Sequence, residues 1–444
     1  MISSGEQHWA ICGVTQRSRN VLDALEPQDG LYGVLSRGQD TSVEVMAPLR
    51  ELLFARTQAT ELLDRIATAS THVVSLTVTE KAYRHDPISG RLNVDDAEIR
   101  ADAAGRPPLT VVGQLVRGLQ LRQQRGGEPV TVVCCDNLTH NGATLRQLVD
   151  DFAAMLPTVE RAPLTTWIAD SARFPSTMVD RIVPATTEAD RADAGELLQF
   201  DDLGTVVAEP FSQWVVEDDF GTPRPAWERA GAIFTADVGP YETAKLRLVN
   251  GSQSALAYLG VLAGYEHVAQ FMAVEGVATY LEAMMDDEAA LTLPLPDGFD
   301  VAAYIGQLME RFANPGLRHR LAQIAMDGSQ KLPPRLLATI RDRLLAGGPQ
   351  PRLSMLAVAA WMRYVSARVD DSGRPVDVDD PLGAVFAARL AGASTPAAIV
   401  DRLVGIRVIF GDLGEDPQFR RLLTLALADL TKSGALACVR DAVT

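Results

Sequence analysis

Cysteine is scarce in this 444-residue chain. The four thiols, Cys12, Cys134, Cys135 and Cys438, form no CxxC pair, which excludes a disulfide scaffold and points to a reducing, cytoplasmic setting. The six histidines are scattered, with no HExxH motif and no Cys/His cluster, so no metal site is expected. Basic residues are outnumbered and the net charge is −16, which argues against nucleic acid and anionic membrane surfaces as partners. No apolar run reaches the roughly 18 residues of a membrane span. The opening MISSGEQHWA has neither a basic nor an apolar region of the kind that marks a signal peptide. The most telling absence is glycine-rich: neither GxGxxG nor GxxxxGK[ST] occurs anywhere.

Apolar residues make up 47% of the chain and charged residues 22%, a globular composition large enough for two or three domains. Short Val/Ile/Leu/Thr/Cys runs at Trp9–Val14, Val73–Thr79, Val130–Cys135 and Thr165–Ala169 lack period-2 alternation. Strands buried on both faces of a parallel sheet read this way. Amphipathic stretches at Pro48–Ala69, Leu109–Gln124 and Ala143–Met155 lie between them, with Pro48 suited to a first helical position. Beyond about residue 240, long apolar-periodic segments dominate. The expected fold is therefore an α/β domain over 1–238 and a mostly helical domain over 239–444.

Four constellations could carry chemistry. In Lys245-Leu-Arg-Leu-Val-Asn250-Gly-Ser-Gln253, an ideal α-helix spreads Lys245, Asn250 and Gln253 over an arc of about 140°. A lysine on a buried helix loses stabilisation of its charged form and becomes a candidate general base, and Asn250 could donate to an oxyanion. A snorkelling lysine beside a satisfied core asparagine is the plainer alternative. The second runs from Cys135 through Asp136, Asn137 and Asn141 to Gly142, between a buried strand and a helix N-terminus, where α/β folds bind ligands. Turn and cap bonds would account for the same residues. The third holds Asp180 and Arg181, which could simply pair, with Glu209 and Glu217 downstream. The fourth, Arg318, His319, Arg320, Lys331 and Arg335, could clamp a carboxylate or phosphate or form a solvated face.

Eight strings taken in order resemble the long-chain polyol (mannitol) dehydrogenase family. Among them are SLTVTEKAY (75–83), CDNLTHNG (135–142), FPSTMVDRIVPA (174–185), PYETAKLRLVNGSQSALAYLG (240–260) and NPGLRHRLAQIAMDGSQKLPPRLL (314–337). The resemblance implies a Rossmann-like NAD-binding domain, a helical substrate domain with the active site between them, and metal-independent hydride transfer at a secondary alcohol. It implies Lys245 as general acid/base, Asn250 and Asn141 as holders of the alkoxide, and Glu80 and Glu242 as residues that line the site or relay protons. Glu80, Asp136 and Asn137 fall on the cofactor side, and Asp180 at its border with the substrate. The 314–337 run is closest to the fructuronate reductase branch, which implies D-mannonate and D-fructuronate as substrates and gives Arg318, Arg320, Lys331 and Arg335 a carboxylate to bind. CDNLTHNG is closer to mannitol 2-dehydrogenases, and a mannitol-1-phosphate 5-dehydrogenase stays open.

Two departures stand out. The family string NGSH becomes NGSQ, so Gln253 replaces a histidine that hydrogen-bonds the reacting oxygen. The family also places a strand, a GxGxFHRAH-type loop and a helix ahead of the strand matching Trp9–Val14, and an N-terminally shortened sequence is the expectation. A non-catalytic homologue is the competing class. Arg17 and Arg19 follow that strand, where arginine can accommodate the 2′-phosphate of NADP or simply be solvated. The expected partner is a small sugar acid or polyol, and the expected assembly a monomer or small homo-oligomer.

Overall fold

The computed structural model describes residues 8–38, 40–86, 89–296 and 298–443. The chain divides into two compact units, Met1–Gly239 and Pro240–Thr444. Among the described residues no helix is long and apolar enough to cross a membrane.

The first unit is α/β. Its strands are β1 (Ile11–Thr15), β2 (Tyr32–Arg37), β3 (Thr41–Met46), β4 (Leu49–Phe54), β5 (Val73–Leu76), β6 (Val130–Cys134), β7 (Ala172–Arg173), β8 (Thr177–Asp180), β9 (Val206–Ala208), β10 (Gln213–Glu217) and β11 (Ile233–Thr235). β1 pairs in parallel with β4, and β5, β6 and β7 form a second parallel group. Trp9 and His72, just ahead of β1 and β5, meet edge-on with ring centroids 5.6 Å apart. β6 is buried at every residue, as its unbroken apolar run requires. It is covered by the helices Val111–Gln124, Asn141–Ala154 and Thr158–Ser171 through Leu115, Leu119, Leu145, Leu148, Phe152 and Ile168. Asp102, fully buried, accepts from the Leu109 and Thr110 N–H groups and from the Thr110 hydroxyl, fixing the start of the first of these helices.

Arg122 on that helix is 1% exposed and donates to four carbonyl oxygens, those of Ile66, Thr68, Glu128 and Pro129. Two of them lie at the C-terminal end of the helix Ala59–Ala67, whose dipole favours a cation. The buried charge thus joins a helix end to the entry of β6.

Two expected elements are corrected. Thr165–Ala169 lies within the helix Thr158–Ser171: Leu164 and Ile168, one turn apart, are the buried pair, and packing overrides the β preference of Thr165, Thr166 and Trp167. Pro48–Ala69 is not one helix. Leu49–Phe54 pairs with β1, the Gln58 side chain accepts the Phe54 N–H, and the helix starts only at Ala59. The antiparallel β2–β3 hairpin, and β10 between antiparallel β8 and parallel β11, were not legible as strands.

The second unit is helical. Arg352–Ala367 runs through its core with Trp361, Leu356, Met362 and Val365 buried, against Gly251–Leu262 and Pro417–Ser433. Buried Glu288 accepts the N–H groups of Leu353 and Ser354 and caps that central helix. Among the described residues three stretches are π-helical: Lys245–Asn250, Met284–Ala289 and Pro333–Leu337. The first is in contact with each of the other two.

Candidate active site

In the second unit Lys245 and Asn250 open and close the first π turn. A π turn is closed by i→i+5 bonds, and here the Gly251 N–H donates to the Leu246 carbonyl. It brings residue i+5 to roughly 50° from residue i instead of the about 140° of an α-helix. Lys245 and Asn250 therefore share a face, and each is 7% exposed. Glu242 lies in the preceding helical turn and Gln253 in the next, both half-buried.

The π turn is held from the Pro333–Leu337 segment. The Arg335 guanidinium donates to the Asn250 carbonyl at 3.5 Å and to the Ser254 hydroxyl at 3.3 Å. A Cβ on Gly251 would lie 3.0 Å from the Arg335 carbonyl oxygen, so glycine serves here for close approach of two backbones. Lys331, also half-buried, donates to the Ile324 carbonyl at 3.1 Å. Burial and then the Lys331 charge hold the His319 imidazole below its ordinary range. The four basic candidates thus separate: Lys331 and Arg335 are half-buried, Arg318 and Arg320 exposed, with Arg320 paired to Glu266 at 3.8 Å.

The first unit's candidates gather beyond β6. Burial pushes the Asp136 carboxyl above its usual range, although the Tyr83 hydroxyl donates to it at 2.6 Å and the Val78 N–H at 2.9 Å. His140 adopts the left-handed conformation, and the helix Asn141–Ala154 begins directly after it. The Asn141 amide donates to the Asp136 and Thr177 carbonyls at 3.0 and 2.9 Å and accepts the Thr177 N–H at 2.8 Å. That reciprocal pair ties β6 to β8. Thr177 adds a bond to the Cys134 carbonyl, and Glu217 accepts the Ser176 N–H. Asp180 is buried at the end of β8, whereas Glu80 and Asn137 are exposed. Burial raises the Cys135 thiol to about 12, which disfavours its thiolate.

Tyr83 and Thr177 were not singled out from sequence. Their only signal was position, as polar residues inside or beside the family strings. Among the described residues no group of three His, Cys, Asp or Glu side chains could hold a metal ion. For a dinucleotide, parallel strand ends are followed by polar turns at β1, β5 and β6, and a 14-residue helix starts beyond β6. These residues fit the nucleoside ends of such a group. The sequence offers no glycine-rich turn for its pyrophosphate.

Residues 2–229 match the family model described as the mannitol dehydrogenase Rossmann domain, and residues 237–431 the mannitol dehydrogenase C-terminal domain. The chain is 40% identical to the D-mannonate oxidoreductase of Escherichia coli K12, over 99% of this chain and 90% of that protein. It is 38% identical to the mannitol 2-dehydrogenase of Pyrenophora tritici-repentis, over 98% and 76%. In structure it is similar to Pseudomonas fluorescens mannitol 2-dehydrogenase in a ternary complex with NAD and D-mannitol. That match has a TM-score of 0.87 at 35% identity and covers 100% of this chain and 89% of the other.

Proposed function

The chain belongs to the mannitol dehydrogenase family, NAD-dependent oxidoreductases of CH–OH groups in polyols and sugar acids, and from that premise we propose that it interconverts D-mannonate and D-fructuronate. The observation that carries the mechanism is the π turn, which sets a buried amine and a buried amide on one face. Lys245 Nζ takes the hydroxyl proton of the substrate alcohol in oxidation and returns it in reduction. The Asn250 amide donates to the oxygen as charge builds on it, and Gln253 Nε2 adds a second donor that does not titrate. Glu242 exchanges the lysine's proton with solvent. A bound nicotinamide would supply the hydride acceptor for the carbinol carbon and so take up both electrons of the oxidation, held by the residues that follow β1, β5 and β6.

On the first unit we assign Asn141 a positioning role, holding the turn beyond β6 through Thr177, with Asp136, Asn137 and Glu80 on the cofactor side and Asp180 toward the substrate. Half-buried Lys331 and Arg335 supply the positive charge that favours a carboxylate-bearing substrate over a neutral polyol. Exposed Arg318 and Arg320 contribute by long-range attraction.

The test is a coupled NAD(H) assay on D-mannonate, D-mannitol and mannitol 1-phosphate, beside Lys245→Ala. The reading expects kcat/KM for mannonate at least about tenfold above mannitol, and a loss of roughly 10²–10⁴ in kcat in the folded variant. Faster turnover of mannitol would overturn the substrate, and full activity of folded Lys245→Ala the mechanism. No turnover of any of the three by the folded chain would favour a non-catalytic homologue.

A further inference from the structure

We propose that the C-terminal edge of β1 and β4 accepts a phosphate on the adenosine ribose, so that the chain takes NADP as well as NAD. This rests on the dehydrogenase reading above and concerns which dinucleotide it uses. In dinucleotide folds a carboxylate past the relevant strand binds the ribose 2′-hydroxyl, and an arginine there accommodates a 2′-phosphate. β1 is followed by Gln16, Arg17, Ser18, Arg19 and Asn20, with no acidic residue among them.

The Ala55 N–H donates to the Thr15 carbonyl at 3.0 Å, so the chain leaving β4 runs beside the chain leaving β1. Arg17 lies two residues past β1 and Arg56 two residues past β4, at the same edge. Both are exposed, and among the described residues neither has a hydrogen-bond or ion-pair partner. Arg19 is differently placed. It pairs with Asp23 at 3.2 Å and Glu26 at 3.0 Å, and its guanidinium sits 5.9 Å from the centre of the Phe54 ring. Those pairs neutralise the first carboxylates that follow β1 in the chain. Gln16, the first residue past the strand, donates its amide to Gln114 at 2.8 Å. Two unneutralised guanidinium groups therefore remain at one strand edge of a chain whose net charge is −16. A phosphate dianion suits them through charge-assisted, bidentate bonds, whereas a bare ribose hydroxyl leaves them in water.

The full chain is titrated with NADH and with NADPH by nucleotide fluorescence, with 2′-AMP and 5′-AMP as competitors. NADPH is expected to bind within about threefold of NADH at low salt and to weaken more steeply as salt is added. 2′-AMP should displace either nucleotide better than 5′-AMP. Arg17→Glu and Arg56→Glu should each raise the ratio of NADPH to NADH dissociation constants roughly tenfold, the scale of one charge-assisted contact. NADH binding with NADPH about a hundredfold weaker, or a ratio neither variant moves, overturns this inference and leaves the dehydrogenase reading intact. Binding of neither nucleotide overturns both.

Discussion

Gly142→Ala tests the packing on which the first unit's candidate residues depend. A Cβ at this position would lie 2.3 Å from the Phe174 carbonyl oxygen, 2.7 Å from the Pro175 carbonyl carbon and 2.7 Å from the Ser176 nitrogen. Ordinary contacts between such atoms need about 3.5 Å, so one backbone must retreat by roughly 1 Å. The 174–177 segment cannot do so freely. Asn141 grips Thr177 in both directions, the Thr177 hydroxyl is bonded to the Cys134 carbonyl, and Glu217 accepts the Ser176 N–H. Overpacking of this kind costs about 3 kcal/mol. Replacing a helical glycine with alanine returns at most about 1 kcal/mol. The net loss of about 2 kcal/mol predicts a fall in Tm of roughly 4–8 °C for a unit of this size. Thermal unfolding followed by circular dichroism is the assay, with Gly306→Ala as the control. Gly306 is inside the helix Val301–Ala313 with nothing within 4 Å of its added Cβ, so that variant should gain about 0.5–1 kcal/mol. A Gly142→Ala protein as stable as the unmodified chain would show that the 174–176 backbone yields, and would refute the argument that Asn141 is rigidly placed.

Gly251→Ala should keep the second unit folded, because its Cβ meets a single atom at 3.0 Å, yet lower kcat about tenfold by shifting the π turn that carries Lys245 and Asn250. Unchanged kcat would detach activity from that turn. Arg122→Met, which removes a buried cation and its four hydrogen bonds to carbonyl oxygens, should cost about 3 kcal/mol or more in urea denaturation, and a loss below about 1 kcal/mol would count against the clamp. Asp370 is 6% exposed and opposed by burial, yet its bonds from Ser372 and Arg374 draw its carboxyl down to about 2 from 3.8. A depressed folded value stabilises above the unfolded pKa, and that contribution disappears as pH falls from about 4 to 2. Asp370→Asn should therefore flatten the acid limb of the stability profile by about 2 kcal/mol, and an identical limb in both proteins would contradict the assignment.

Much of the architecture was legible in the sequence. β6 announces itself because a strand covered on both faces needs an unbroken apolar run, whereas β1 and β5 carry similar runs with no residue fully buried, and the amphipathic helices of the second unit keep their periodicity because one face lies in the core. Legibility failed where long-range contact decides. Leu49–Phe54 reads as helix or strand until β1 supplies its ladder, and Thr165–Ala169 reads as a strand until Leu164 and Ile168 find a common buried face. The candidate chemistry divides in the same way. Residue types and order in the KLRLVNGSQ string already pointed to an amine with an amide partner, and the family strings brought the dinucleotide with them. Only the tertiary structure brought Lys245 and Asn250 onto one face, because a π turn exists where the Arg335 backbone and guanidinium press on Gly251 and Asn250, contacts made more than eighty residues away in the chain. Only the tertiary structure committed the Asn141 amide to two carbonyls, since the Thr177 backbone that receives it arrives from another strand.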